Sequence, residues 1–338
     1  MTTFAVIGAG SWGTALAKCL ADKGEKVRLW AYEHQVVQGI TINHRNPLFL
    51  TDIPLPPRLE VTTDLEKTLT DATIVLSVVP SSFLRSVWKR AAPFLSQKTL
   101  VVSCTKGIES KTFKLMSQVL DECLPKHPQA LRACLSGPTF ARELALGHLT
   151  TAVVAGVHPA TLKHLQQTLR TPTFLLFTSD DPIGIQVGGA VKNVIAIASG
   201  IGVGMNLGFN ARAAIITRGL YEMIKVGMHL GAKPTTFSGL SGIGDLVLTS
   251  TGELSRNFTL GKALGEGQSI TQVMKDSPMI AEGVETAHAV DAFAKSHGLS
   301  LPICSLIHRI LEGTLTPQQA LGEITTLPLD QELGSLPS

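Results

Sequence analysis

Phe4-Ala5-Val6-Ile7-Gly8-Ala9-Gly10-Ser11-Trp12-Gly13-Thr14-Ala15-Leu16-Ala17 is the stretch that decides the fold of this 338-residue chain. A short apolar run predicts a buried strand, the glycines a tight turn, and the following Ala/Leu run a helix. In this strand–turn–helix setting the G-x-G-x-x-G spacing has a mechanism. Gly8 allows the turn, Gly10 lets backbone approach a pyrophosphate, and Gly13 lets helix and strand pack closely. The free N–H groups and dipole at the helix start then favour phosphate. The pattern predicts a dinucleotide site.

Further runs extend the strand–helix alternation. Lys26–Trp30, Thr73–Val79, Thr99–Ser103 and Ala133–Ser136 are candidate strands, with possible further strands at Thr151–Val154 and Phe174–Phe177. Helical stretches such as Gly13–Lys23 and Lys111–Leu124 separate them. Continuous apolar strands alternating with helices imply βαβ units and a doubly wound α/β domain. After about residue 183 the texture becomes helical, over Ile183–Ile201, Ala211–Leu230, Ala281–Lys295 and Leu301–Glu312, and Ser179-Asp180-Asp181-Pro182 is a helix-start signal. We therefore expect a first domain over residues 1–185 and a mainly α-helical second domain over 186–338, with a frayed tail beyond Asp330.

Composition narrows the function classes. Lys+Arg 29 against Asp+Glu 26 leaves +3, too balanced to argue for a nucleic-acid or anionic-membrane partner. Apolar residues make up 44% and charged residues 16%, which fits a large core and not a disordered chain. Five widely spaced cysteines without a C-x-x-C pair fit a reducing cytoplasm and no disulfide framework. The first residues are too short an apolar run for a secretory signal. The uncharged segment from Asn193 to Ala211 holds three asparagines and four glycines, so it is expected as a buried helix and turn, not a membrane span. The ten histidines show no H-x-x-x-H or H-E-x-x-H spacing; His34, His44, His127, His288 and the others are expected at the surface, and no metal site is expected.

Some individual residues stand out. Lys192, in Val191-Lys192-Asn193-Val194-Ile195, sits in the most apolar part of the chain. Lysine is seldom buried without a partner, and burial disfavours the charged form of an amine, which favours a working group over a side chain snorkelling from a helix end. Lys106 follows the carboxyl end of a strand, where open α/β sheets bind ligands; its hexamer alone fits an ordinary loop lysine equally well. Leu135-Ser136-Gly137-Pro138-Thr139-Phe140-Ala141 closes another strand with small hydroxyl-bearing residues. At the end of the second strand an acidic residue usually accepts from the adenosine ribose. Glu33 is in range for that role and is equally readable as a solvated first-turn residue, while Tyr32 either stacks on adenine or covers the helix.

Taken together, Gly8–Thr14, Lys106-Gly107, Ser136–Ala141, Lys192-Asn193, Gly242–Leu246, Ser255-Arg256-Asn257 and Glu282-Gly283 resemble, in order, the blocks of bacterial NAD(P)-dependent sn-glycerol-3-phosphate dehydrogenases along nearly the whole chain. The resemblance implies a Rossmann-type domain followed by a helical one, a homodimer, and reversible reduction of dihydroxyacetone phosphate by NADH or NADPH to sn-glycerol 3-phosphate for phospholipid synthesis. It implies that Lys192 is the acid/base and that Lys106 touches substrate and nicotinamide. It places Asp245 and Thr249 at substrate-activating positions and Gly137, Thr139, Ser255, Arg256 and Asn257 on substrate. Cofactor contacts carried over in the same way are Ser11, Trp12, Tyr32, Ala141, Arg256, Ile280 and Glu282, beside the glycines and Lys106. Many members carry Arg or His where this chain has Tyr32, which leaves the choice between NADH and NADPH open.

The chemistry suits these residue types. Hydride arriving at a ketone carbon leaves an alkoxide that needs charge stabilisation and a proton, and a lysine ammonium supplies both. Arg256 has the planar, bidentate geometry a phosphate wants. By themselves, Ser255-Arg256-Asn257 would be a helix cap with an exposed arginine and Asp245 an N-cap. Two other readings are a β-hydroxyacid dehydrogenase, which would bind a carboxylate, and a non-catalytic NAD(H) sensor, which usually carries a basic DNA-binding segment not evident here.

Overall fold

The computed structural model describes residues 2–276 and 281–326; Ile280 and the tail beyond Asp330 lie outside them. The chain divides into two units. The first comprises the chain up to Lys106 and Met116–Pro182, the second Gly107–Leu115 and the chain from Ile183 onward.

In the first unit eight strands form one sheet: β1 (Thr3–Ile7), β2 (Lys26–Trp30), β3 (Glu60–Thr62), β4 (Ile74–Ser77), β5 (Leu100–Ser103), β6 (Arg132–Ser136), β7 (Thr150–Ala155) and β8 (Phe174–Ser179). Their order is β3-β2-β1-β4-β5-β6-β7-β8. The helices are α1 (Ser11–Asp22), α2 (His34–Asn43), α3 (Leu65–Leu69), α4 (Ser81–Ala91), α5 (Met116–Cys123), α6 (Ala141–Ala145) and α7 (Pro159–Leu169). Alternate residues of β1 feed two separate apolar layers, Phe4 and Val6 on one face, Ala5 and Ile7 on the other. Covering both faces with helices is what makes every position of such strands apolar. The order reverses beside β1, and the crevice at the carboxyl ends of strands at such a switch point is where these sheets bind ligands.

Three features differ from the sequence expectation. Strand β3 is only three residues long and has partly polar composition, so no periodicity announces it; pairing with β2 alone defines it. Strand β7 runs antiparallel to β6, and β8 runs parallel to β7, so the last two strands reverse the sheet's direction. The helix expected from Lys111 begins only at Met116. Ahead of it Ile108 and Leu115 form an antiparallel bridge, and Phe113 takes a left-handed φ of 58° that no helix accommodates.

The second unit contains α8 (Pro182–Gly204), α9 (Gly208–His229), α10 (Asp245–Thr251), α11 (Arg256–Gly265), α12 (Ile270–Asp276), α13 (Ala281–His297), α14 (Pro302–Leu311) and α15 (Pro317–Thr325). Helix α8 is long and apolar enough to cross a membrane, but 89% of its most apolar window is buried by protein, so it is the axis of a core. That core joins Val191, Val194, Ile195 and Ile197 of α8 to Met223, Leu260, Val290 and Ile307. The glycines of α8 have a packing reason: a Cβ on Gly200 would lie 2.1 Å from the Phe258 carbonyl oxygen, and one on Gly261 2.0 Å from that of Ile197. Small residues on both helices let the backbones of α8 and α11 touch. Helix α14 starts with Pro302 and has no side-chain cap of its own; Glu222, buried on α9, accepts from the N–H groups of Ile303 (2.6 Å) and Cys304 (2.9 Å) in its place.

Candidate active site

In the first unit β1 delivers the chain into the glycine turn. Gly8 has φ +116°, and a Cβ there would stand 2.7 Å from the Val78 carbonyl oxygen; a Cβ on Gly13 would stand 1.8 Å from that of Gly8. Around Gly10 nothing lies within 4 Å of where a Cβ would be, so this backbone faces open space, and Gly10 is the N-cap of α1 with no side chain over it. A closed turn with an open middle glycine fits a pyrophosphate at the helix start. Ser11 and Trp12 begin that helix and are half-buried.

A residue that sequence reasoning missed holds this loop. Asn46, fully buried, donates through Nδ2 to the Ala9 carbonyl oxygen and to Thr14 Oγ1, both at 2.9 Å, while its Oδ1 accepts from the N–H groups of Leu48 and Phe49. Thr14 Oγ1 donates to the same Ala9 carbonyl at 3.1 Å. Asn46 lies 37 residues from Ala9 in a polar loop, so nothing local in the sequence marks it.

At the end of β2, Tyr32 is 72% exposed with its ring edge-on to Trp30, and Glu33 is the N-cap of α2 without a side-chain capping bond. Further along the carboxyl edge the structure brings three predicted residues together. Lys106 Nζ donates to the Gly137 carbonyl oxygen (3.1 Å) and lies 3.4 Å from Thr139 Oγ1, which itself donates to Gly137 (3.1 Å). Gly137 has φ +142°, and a Cβ would press on Ala152 Cα at 2.9 Å. Ala141 opens α6 next to this turn.

The second unit carries a buried ion pair. Lys192 on α8 donates through Nζ to Asp245 Oδ1 and to Thr249 Oγ1 (2.9 Å). Side-chain exposures are 7% for Lys192 and 0% for Asp245, and Thr249 is also buried. Asp245 is the first residue of α10, after the N-cap Gly244; Thr249 follows one turn later on the same face. The π-turn Leu240–Gly244 presses against α8, where a Cβ on Gly188 would meet the Ser241 carbonyl oxygen at 2.1 Å, and this sets where α10 begins. Ser199 Oγ (2.8 Å) and Arg212 Nη2 (3.0 Å) both donate to the Ser250 carbonyl, bracing the turn after Thr249. Neither brace was predicted. The geometry is an ammonium oriented by a carboxylate and a hydroxyl, which suits it to donate a proton to a developing oxyanion.

Ser255 is the N-cap of α11, accepting from the Phe258 N–H at 3.2 Å, so the capping role and a ligand role fall on one hydroxyl. Arg256 is exposed at the first position of α11 and Asn257 is half-buried. A Cβ on Gly283 would fall 2.0 Å from Asn257 Oδ1, so Glu282-Gly283 at the start of α13 lies against Asn257. The expectation of surface histidines fails at His127, which is buried with Nε2 2.9 Å from the Thr99 carbonyl oxygen, and at His288 and His308, which are half-buried against each other.

Two family models match: the N-terminal domain of NAD-dependent glycerol-3-phosphate dehydrogenase over residues 3–162 and its C-terminal domain over residues 181–322. A glycerol-3-phosphate dehydrogenase [NAD(P)+] of Citrifermentans bemidjiense is 43% identical over 97% of this chain and 98% of its own length. That of Rhodospirillum rubrum is 45% identical over 98% of this chain and 94% of its own. The crystal structure of glycerol-3-phosphate dehydrogenase from Coxiella burnetii superposes with a TM-score of 0.92 at 40% identity, covering 96% of this chain and 99% of that one.

Proposed function

The chain belongs to the NAD-dependent glycerol-3-phosphate dehydrogenase family, and from that premise we propose how its residues share the reaction. The enzyme is an NAD(P)-dependent oxidoreductase that interconverts dihydroxyacetone phosphate and sn-glycerol 3-phosphate, the backbone precursor of glycerophospholipids. When bound, the nicotinamide supplies or accepts the hydride at C4.

Gly8, Gly10, Ser11, Trp12 and Gly13 hold the cofactor pyrophosphate, with Asn46 keeping the loop in shape. Lys192 passes a proton to the substrate oxygen as hydride reaches C2, and takes it back in the oxidative direction. Asp245 and Thr249 fix the direction of its N–H bonds. Lys106, steered by Gly137 and Thr139, adds positive charge toward substrate and nicotinamide. Arg256 binds the substrate phosphate through its guanidinium, helped by Ser255 and Asn257. Glu282 and Ala141 contact the cofactor. The observation that carries this reading is the burial of Lys192 on a carboxylate and a hydroxyl in the most apolar helix of the chain.

Initial rates with dihydroxyacetone phosphate and NADH or NADPH, beside hydroxyacids, test the substrate assignment and decide the cofactor preference. Arg256→Ala is expected to raise KM for dihydroxyacetone phosphate far more than for unphosphorylated dihydroxyacetone; equal effects on the two would remove Arg256 from the phosphate. The enzyme acts on small molecules; we further assign it to the cytoplasm, where its five cysteines stay reduced, as a homodimer without a nucleic-acid or integral-membrane partner.

A further inference from the structure

We propose that His288, His308 and Glu312 form a binding site for a divalent transition ion of the zinc class, joining α13 to α14. His308 and Glu312 are four residues apart, on one face at the end of α14, and His288 faces them from α13. One ligand atom from each of the three lies within 4.8 Å of the others. His288 Nδ1 is 2.9 Å from His308 Nδ1 and 3.4 Å from Glu312 Oε1. Metal bonds of about 2.0–2.2 Å in a tetrahedron set ligands about 3.3 Å apart, so these separations bracket what one ion requires. The two imidazole planes meet at 88° with ring centroids 5.0 Å apart, so the rings approach edge to face and not stacked.

The surroundings are those of a built site. On the far side of the His308 ring, Nε2 lies 3.4 Å from Asp291 Oδ2, whose side chain is 3% exposed. A carboxylate on that side favours a ring proton on Nε2 and so Nδ1 as the ligand, the outer-shell arrangement that metal-binding histidines adopt. Asp291 is itself held by Lys295 Nζ at 2.7 Å, one turn further along α13. Glu312 is half-exposed, so the coordination position beyond the three protein ligands opens to water. Two imidazoles with one carboxylate select zinc, nickel or copper over magnesium or calcium.

Titrating the intact enzyme with Co2+, followed by its visible d–d absorption, and then displacing it with Zn2+ tests the site. One Co2+ per chain is expected, displaced by Zn2+ and not by Mg2+. His288→Ala and His308→Ala should each weaken binding at least about tenfold, and Asp291→Asn about 10–100-fold through the ring it orients. Glu312→Gln, at a half-exposed position, is not expected to disturb folding and should weaken binding likewise, while His297→Ala, on α13 with His288, should leave it unchanged. Absence of a stoichiometric Co2+ spectrum in the wild-type enzyme, or binding that survives His288→Ala and Glu312→Gln, overturns the assignment.

Discussion

The pair formed by Lys192 and Asp245 invites a double-substitution cycle that separates its catalytic from its structural contribution. Lys192→Met keeps the length of the side chain and removes the charge. It leaves the Asp245 carboxylate at 0% exposure beside Thr249 and without its counter-charge. Asp245→Asn leaves the ammonium in the same pocket with Thr249 but without a negative charge beside it. Breaking a buried pair on one side costs about 3–5 kcal/mol, because the remaining charge has lost its counter-charge in a site shut off from water. Replacing both partners by neutral groups of similar volume is often close to neutral. The double variant Lys192→Met/Asp245→Asn is therefore expected to unfold in urea within about 2 kcal/mol of the wild type, well above either single variant. Turnover should behave differently. Any variant with methionine at 192 lacks the positioned proton donor and should fall about 10²–10⁴-fold in kcat, the stable double variant included, with NADH binding by fluorescence nearly intact. Single-variant losses that simply add in the double would show that the two groups are not directly coupled. A Lys192→Met enzyme within threefold of the wild-type rate would remove Lys192 from the chemistry.

Asn46→Ala deletes the bonds that pin Ala9 and Thr14, so KM for the cofactor should rise several-fold with little change in kcat; a pure loss of kcat would contradict its role as a brace of the loop. Glu222→Ala orphans the N–H groups of Ile303 and Cys304 and should lower stability by about 2–3 kcal/mol in urea unfolding, with Glu222→Gln recovering part of the loss. Burial holds His127 below the ordinary histidine value of about 6.5, against the bond to the Thr99 carbonyl and with help from Arg132. Below that value the unfolded chain binds the proton first, so this contribution is present above about pH 6.5 and lost as pH falls through the folded value. His127→Gln should accordingly lose less stability between pH 7 and pH 5 than the wild type; parallel pH profiles would refute this.

Much of this architecture was legible without coordinates, because its signals are local. Gly8 and Gly13 are constrained by steric contact with Val78 just past β4 and with each other, and those constraints permit few other residue types. Buried strands β1, β4 and β5 announce themselves by apolar runs, and α8 by its length. Lys192 stood out because a cation in such a run contradicts its surroundings. The candidate site was less legible where its meaning depends on partners far along the chain. Asp245 is 53 residues from Lys192, and either one alone has an ordinary reading as a helix end or a cap. Ser255 turned out to hold the capping role that its local pattern also suggested.

The sequence by itself determined the glycine turn after β1, the alternation that builds a doubly wound sheet and the helical second half, since each follows from short-range periodicity or from a steric demand on one residue. Only the tertiary structure decided that β7 turns against β6, that Gly107–Leu115 belongs to the second unit, that Asn46 holds the glycine loop and that Glu222 caps α14. It also decided that His288 and His308, twenty residues apart, face each other. These are pairings between distant segments, and their energy comes from burial and from satisfying polar groups that exist only once the chain has folded, so no pattern of neighbours along the sequence records them.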